Sequence, residues 1–380
     1  MQPQSILSYY PNYAILDEVS SNPKYNTLNL FIDLKNTLQT IYMKFSIINI
    51  LESSLKSKRI DTSVFASLIS FLSFHKMYGI RRNKMNINYF IFLESGISYY
   101  HTNISKKYKV SRRIDDLYGL EKDKRDYFFE ILGVNYKLIE GIGNRLPNTK
   151  VIRLQNLEAD FVPYYIISRE LIPQGENVAN IIYSNDHDML QCINDNTSIF
   201  FRSNKIKKIV KKGEVVSSYS KQPKKFPDEY LTFIMSILGD PGDNVDGLKG
   251  IGIKRLEEIL EDLVEMVGGI DTLKNNVFLG NPIFNTDRYK NKNKYIENIL
   301  EKEEKEHTIS NNMKLVDFEI LSRFLEIPVK TEMIEKRKQI TNVLESNEKL
   351  SLNEAKELCS KLRIFLQEED LDTIYYKYGE

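Results

Sequence analysis

The stretch Ala179-Asn180-Ile181-Ile182-Tyr183-Ser184-Asn185-Asp186-His187-Asp188 is a short apolar run that ends in two spaced aspartates. A run of this length that continues into polar residues suits a buried strand. The arrangement recurs: Leu28-Asn29-Leu30-Phe31-Ile32 ends on Asp33, and Tyr89-Phe90-Ile91-Phe92-Leu93 ends on Glu94. Val151-Ile152-Arg153-Leu154 is strand-like and is followed by Glu158 and Asp160, and Ser198-Ile199-Phe200-Phe201 reads as one more strand. Helical periodicity separates these runs near residues 37–57, 62–77, 122–138 and 158–171. The second of these helices places Phe65, Leu68, Ile69, Leu72 and His75 on one face. Strands alternating with helices predict an α/β fold with a mostly parallel central sheet flanked by helices. From about Asp228 onward the pattern is nearly all helical, and Glu301-Lys302-Glu303-Glu304-Lys305-Glu306 reads as a solvated helix face.

These patterns divide the chain into an extended, proline-containing arm (1–27), an α/β core (28–227), a helical region (228–329) and a C-terminal helical tail (330–380). With 380 residues, 42% hydrophobic and 28% charged, the composition is that of a globular protein and excludes wholesale disorder. The 53 Lys+Arg and 52 Asp+Glu give a net charge of +1, so only the distribution of charge can speak for a polyanionic partner. Two cysteines far apart, Cys192 and Cys359, suit a reducing cytosol. No apolar run reaches a membrane span, and the first residues carry no signal-peptide core, so a cytoplasmic location without membrane contact is expected.

The acids fall where strands end, and in open α/β sheets the crevice at the carboxyl ends of the strands is the usual ligand site. Carboxylates gathered there would repel one another unless cations neutralise them. Magnesium prefers such oxygen ligands, and a pair of ions ~3.5–4 Å apart activates water and stabilises a leaving phosphodiester oxygen. Each acid has a plainer reading alone. Asp186-His187-Asp188 is a common loop pattern, and Glu158 and Asp160 could favour a helix N-terminus. The recurrence at successive strand ends favours metal binding. His187 reads as a bystander among hard oxygen donors.

Residues Leu238-Gly239-Asp240-Pro241-Gly242-Asp243-Asn244-Val245-Asp246-Gly247-Leu248-Lys249-Gly250-Ile251-Gly252-Ile253-Lys254 form a glycine-rich turn between two apolar-faced helices. Glycines let backbone approach a ligand, and N–H groups opening the second helix favour a phosphate, with Lys249 and Lys254 adding charge. The bland alternative is a helix connector with glycine caps.

At this point the sequence resembles the flap endonuclease and 5′-to-3′ exonuclease family, which includes the nuclease domain of bacterial DNA polymerase I and free-standing bacteriophage enzymes. The resemblance covers about Leu28 to Leu325. Gly239–Gly252 resembles the family's last acidic pair and its helix–two-turn–helix motif, a relative of the helix-hairpin-helix. Glu158-Ala159-Asp160 resembles Glu-Ala-Asp-Asp, and Ser184–Asp188 resembles Ser-x-Asp-x-Asp, with Phe161 standing in place of a further aspartate and Leu34 in place of a small residue. The resemblance implies a PIN-like 5′ nuclease core with Asp33, Glu94, Glu158, Asp160, Asp186, Asp188, Asp240 and Asp243 around two Mg2+ ions, Mn2+ substituting. It implies DNA contacts by Gly247, Lys249, Gly250, Gly252 and Lys254, with a monovalent cation at that turn. It also implies a basic arch near 101–125, whose Lys109 and Arg112, after Tyr108, steer the scissile phosphate. A second basic stretch, Arg202 to Lys225, suits either DNA phosphates or a solvated loop.

The expected function is a metal-dependent, structure-specific 5′ nuclease (exonuclease, flap endonuclease, ribonuclease H). It would act on 5′ ends, flaps, nicks and RNA–DNA hybrids to remove primers in DNA replication. The chain would act as a monomer in the cytoplasm of a phage-infected host, its tail meeting a clamp or single-strand-binding protein. The alternatives are a catalytically silent DNA-junction binder of the same fold and a PIN-like ribonuclease. The eight acids argue against the first and the helix–two-turn–helix segment against the second.

Overall fold

The computed structural model describes residues 22–34, 62–78, 85–96, 98–109, 122–202, 207–220, 226–285, 293–327, 331–362, 364, 366 and 368–376. The expected helix at 37–57, most of the N-terminal arm, Arg112 and much of the arch and of the second basic stretch lie outside them.

Six strands form one sheet: β1 (Thr27–Asp33), β2 (Asn86–Leu93), β3 (Thr149–Arg153), β4 (Val178–Tyr183), β5 (Thr197–Arg202) and β6 (Lys207–Val210), in the order β3-β2-β1-β4-β5-β6. All neighbours are parallel except the antiparallel pair β5 and β6. The chain winds from β1 outward through β2 to β3, then returns to the other side of β1 as β4. The strand order therefore reverses at β1, which places a crevice at the carboxyl ends of β1 and β4. β1 and β4 are buried along almost their whole length, as continuous apolar runs covered on both faces should be.

Alternation of side chains splits the core. Phe31, Phe90 and Phe92 stack on one face, with ring centroids 5.0 and 6.0 Å from Phe31, and pack with the helical region. Leu30, Ile32, Tyr89 and Ile91 face the other way, against the helices Ser63–Tyr78 and Lys122–Gly143. All five residues predicted for the buried stripe of the first of these helices are buried there. Polar side chains also cross the sheet. Asn88 donates to Asn29 at 2.9 Å, Asn29 to Asn180 at 2.9 Å, and Asn180 to Thr197 at 3.1 Å, joining β2, β1, β4 and β5. Only the native register lines up these amides, and a slip of one residue would bury them unpaired.

The C-terminal segment is not a separate tail. Leu350, Ala355, Cys359, Ile364, Leu371 and Ile374 are buried in the second core. The Lys349 ammonium donates to the carbonyls of Asn144, Leu146 and Thr149 at 3.1, 2.9 and 3.3 Å, fastening the connection between the helix Lys122–Gly143 and β3. Among the described residues no helix is long and apolar enough to cross a membrane, and both cysteines are buried and unbridged.

In the helical region the helices Leu231–Leu238 and Ile253–Val267 flank the glycine-rich turn. Gly239 and Gly247 are glycines because the chain crosses itself there. A Cβ on Gly247 would sit 2.0 Å from the Leu238 carbonyl oxygen, and one on Gly239 would sit 2.3 Å from the Gly247 nitrogen. Gly247, expected as a DNA contact, thus has a packing reason of its own. Glu303 departs from the solvated face expected for its neighbours. It is buried and accepts a 2.7 Å bond from the Ile309 amide, opening the helix Thr308–Val316.

Candidate functional site

Strand register brings the acids together. Asp33 is level with Phe92, so Glu94 lies just past the end of β2, and Ile32 is level with Tyr183, so Ser184 follows level with Asp33. The Ser184 hydroxyl donates to Asp33 at 3.1 Å and receives the Asp186 amide at 3.1 Å. The Asp188 amide donates to Asp186 at 3.2 Å, folding the loop so that both side chains serve the crevice.

Glu158 and Asp160 occupy the turn after β3, ahead of the helix Phe161–Ser168. Asp160 stands at its N-cap position, where the helix dipole favours an acid, but its side chain makes no capping bond. Phe161 is fully buried and packs edge-on against Phe318 at 5.7 Å. Where the resemblance expected another acid, this chain has a pin that fastens the helical region to the core.

Asp240 and Asp243 come from the short turn after Leu231–Leu238, and the Gly242 amide donates to Asp240 at 2.8 Å. Asp188, Asp240 and Asp243 present oxygens that all lie within 4.8 Å of one another. This trio joins the end of β4 to the entrance of the glycine-rich turn. Asp160 feels the charges of Glu158, Asp186 and Glu94, which links the trio to the other strand ends.

Burial pushes the Asp160 carboxyl well above the usual carboxylate range, and Glu158 adds to the effect while Lys109 opposes it. Asp188 is raised likewise, by burial first and then by Asp186 and Asp160. The Asp160 Oδ1 atom is buried without a hydrogen-bond partner among the described residues. Hard oxygen donors, mutual repulsion and an orphaned buried oxygen together fit a divalent cation. Asp33, Glu94, Glu158, Asp160, Asp186, Asp188, Asp240 and Asp243 are the residues available to hold it.

Lys109 reaches the site from within. Its ammonium lies 2.8 Å from Glu158 and 3.2 Å from Asp243, and its backbone amide donates to the Asp243 carbonyl at 2.8 Å. Its backbone is left-handed, with φ of 51°. Burial alone would disfavour the Lys109 charge, but Glu158, Asp160 and Asp243 outweigh it and raise the pKa. Burial likewise opposes ionisation of Glu158, and Lys109 and His101 overcome it and hold the carboxyl below its usual range.

Tyr108 and His101 were not singled out from the sequence as site residues. The Tyr108 hydroxyl bridges Glu158 at 3.0 Å and Asp243 at 3.1 Å, and His101 stacks on its ring at 4.6 Å. Tyr108 was detectable, as the aromatic residue just before Lys109. Nothing in the sequence around His101 announces it.

At the glycine-rich turn Gly250 has φ of +83°, and a Cβ at Gly250 or Gly252 would meet nothing within 4 Å. These two glycines are not demanded by packing, in contrast to Gly247. Lys249 and Lys254 are exposed beside them. Arg255 lies over the Tyr295 ring at 4.3 Å and Lys294 at 5.1 Å, adding exposed cations at the start of the following helices.

No family model matches the chain. A 5′-3′ exonuclease of Buchnera aphidicola (Acyrthosiphon pisum) is 28% identical over 191 residues, 46% of this chain and 60% of that protein. One of Aquifex aeolicus is 30% identical over 147 residues, 39% of this chain and 47% of that protein. Over those stretches the chain is similar to 5′-3′ exonucleases. The matches to these two relatives span only about half of their length, at 60% and 47%. Among solved structures, a bacteriophage T5 flap endonuclease variant in complex with DNA and metal ions aligns with a TM-score of 0.56 at 19% identity. That alignment covers 84% of this chain and all of the phage protein. The T5 5′-exonuclease with bound zinc aligns with a TM-score of 0.54 at 20% identity, covering 84% of this chain and 98% of that one. The 5′ nuclease fold, a mostly parallel sheet with a helical C-terminal region, is therefore shared.

Proposed function

We propose that this chain is a divalent-metal-dependent, structure-specific 5′ nuclease, cleaving phosphodiesters as a 5′-3′ exonuclease and flap endonuclease. The observation that carries the reading is the convergence of Asp188, Asp240 and Asp243 within 4.8 Å at the end of β4, beside the buried, unpartnered oxygen of Asp160. The donors around this set, the Gly242 amide, the Tyr108 hydroxyl and Lys109, leave the buried Asp160 oxygen unmet, and a cation would meet it. Mg2+ at two positions, with Mn2+ as a substitute, suits all-oxygen donors. A bound ion would supply Lewis acidity and an activated water, whose oxygen joins phosphorus as one P–O bond breaks. Tyr108 holds Glu158 and Asp243 at a fixed spacing, and Lys109 supplies positive charge to a transition state that gains negative charge.

The glycine-rich turn would take the duplex. Gly250 and Gly252 leave open space for a phosphate, the helix Ile253–Val267 presents amide groups, and Lys249 and Lys254 neutralise charge. A monovalent cation at that turn, action on nicked duplex and RNA–DNA hybrids, monomeric work in the cytoplasm and a role in primer removal belong to the same reading. So does a replication partner, which would meet exposed surfaces of the C-terminal helices, where Ile334, Leu362 and Tyr376 are exposed.

The test is purified protein with Mg2+ on labelled 5′-flap, nicked and RNA–DNA substrates, with product lengths read out. Cleavage from the 5′ side that stops in EDTA supports the proposal. Tight junction binding with no cleavage in any divalent ion would replace it with a silent binder.

A further inference from the structure

A row of rings stands behind Tyr108. Phe324, on the helix Phe318–Glu326, lies 5.5 Å from Tyr100, and Tyr100 stands edge-on to His101 at 5.2 Å. His101 in turn lies nearly parallel to Tyr108, at 4.6 Å and 13°. The backbone brings this last pair face to face. The Ser105 amide donates to the His101 carbonyl at 2.9 Å, closing the short helix Tyr99–Ile104, and the Tyr108 amide donates to the Ser105 carbonyl at 3.1 Å. His101 is 3% exposed, and its Nδ1 atom is buried without a hydrogen-bond partner among the described residues. A histidine kept for its hydrogen bonds would not leave that nitrogen unmet. What it offers is a flat face, in the offset-stacked arrangement that aromatic rings favour.

The Tyr108 ring carries the hydroxyl that reaches Glu158 Oε2 and Asp243 Oδ2, the same two oxygens that pair with Lys109. These acids come from different parts of the fold, one from the turn after β3 and one from the turn after the helix Leu231–Leu238. We propose that His101 is a positioning residue of the metal site. Its ring face fixes the plane of Tyr108, and through the Tyr108 hydroxyl it fixes the spacing of Glu158 and Asp243 that a divalent ion has to fit. This rests on the metal-dependent reading above. A hydroxyl has one hydrogen to share between two carboxylates, and a ring free to tilt would settle on one of them. Held by the stack, it stays between both. Divalent ions, Mg2+ above all, demand oxygens at nearly fixed distances, so lost spacing is read as lost affinity. His101 acts through Tyr108 and needs no contact with ion or DNA.

The experiment measures Mn2+ affinity by calorimetry on the full chain without DNA. A stacked pair is worth ~2- to 12-fold, so His101→Leu should weaken Mn2+ binding about 5-fold. His101→Phe keeps a flat face and has no ring nitrogen, and should bind like wild type. Tyr108→Phe removes the bridge itself, so adding His101→Leu to it should change nothing further. Circular dichroism checks the fold of each variant, and His101→Gln replaces His101→Leu if the latter is unfolded. In single-turnover cleavage of a 5′-flap substrate, His101→Leu should be slow at low Mn2+ and match wild type at saturating Mn2+. Mn2+ binding that is the same in wild type and His101→Leu would overturn the positioning role and leave the nuclease reading standing. Equal losses in His101→Phe and His101→Leu, or losses that add in the double variant, would do the same. Mn2+ binding that depends on His101, with no cleavage in Mn2+ or Mg2+, overturns the nuclease reading and keeps the positioning role. No Mn2+ binding by wild type overturns both.

Discussion

Two polar strips cross the same sheet and have opposite characters. Toward the amino ends of the strands, Asn88, Asn29, Asn180 and Thr197 pass hydrogen bonds from strand to strand, and Asn180 also donates to Gln174 at 2.8 Å. At the carboxyl ends, Asp188 meets Asp240 and Asp243, Asp160 feels Glu158, Asp186 and Glu94, and burial raises Asp160 and Asp188 far above ordinary acids. The first strip is neutral and satisfied by its own members. The second is charged, and Lys109 compensates only part of it from within. A protein keeps the first kind for register and the second kind for work, because uncompensated buried charge is costly.

Breaking the charged strip should give the largest effect. Asp188→Asn is expected to reduce cleavage to background while leaving duplex binding nearly intact, as gel shifts and product analysis in parallel would show. The same substitution should make the metal-free protein more stable, since it removes repulsion. An Asp188→Asn protein that cleaves normally would place the metals elsewhere.

Lys109 is the internal cation of that strip. Replacing it with Met should slow single-turnover cleavage by about 100-fold through loss of transition-state charge. It should also cost the metal-free protein ~3–5 kcal/mol by leaving Glu158 and Asp243 uncompensated. Adding a divalent ion should recover much of the stability and little of the rate. Equal recovery of both would make Lys109 a structural counterion alone.

The neutral strip should respond in stability only. Asn29→Ala leaves the Asn88 amide and the Asn180 carbonyl without partners, a loss of about 3 kcal/mol, and denaturant midpoints will register it. Cleavage by the folded variant should match wild type. A rate loss in the folded variant would show that the two strips are coupled.

Protonation separates the strips more gently. Asp160 and Asp188 have raised folded pKa values, so their stabilising contribution is complete below the ordinary value of ~3.9 and is lost as pH rises through the folded values. Glu158, held low, acts oppositely, losing its contribution as pH falls below ~4.3. Metal-free protein should therefore lose thermal stability as pH rises above the ordinary carboxylate range, and a saturating divalent ion should flatten the loss. The smallest effect belongs to the surface. Lys249→Ala should lower the salt slope of duplex binding by about one phosphate contact, with the rate at saturation unaltered.

Much of this comparison was readable in advance. Apolar runs ending on acids announced the parallel strands and their shared edge, because both sheet burial and strand-end chemistry act over a few residues. What was not readable depends on distant partners. β6 hid inside a lysine-rich stretch, since an edge strand with Lys207 and Lys208 is guarded by charge and lacks apolar alternation. Glu303 looked like its exposed neighbours until the next helix turned back onto it. Lys109 read as a charge that steers the scissile phosphate, and its pairing with Glu158 and Asp243 depends on residues far away in sequence. Phe161 looked like a missing ligand and is an apolar fastening to Phe318.

The closing contact of the second core has a temporal meaning for a chain made from one end. The Ser70 hydroxyl on the helix Ser63–Tyr78 donates to Asp370 across 300 residues of sequence. At ~5–20 residues per second, the ribosome needs about 15–60 s to deliver Asp370 after Ser70. During that interval Phe65, Leu68, Ile69 and Leu72 await Leu371 and Ile374, the last pieces of their cover. The nascent protein thus carries a sticky flank throughout that interval, and chaperone demand should last until Leu371 and Ile374 arrive.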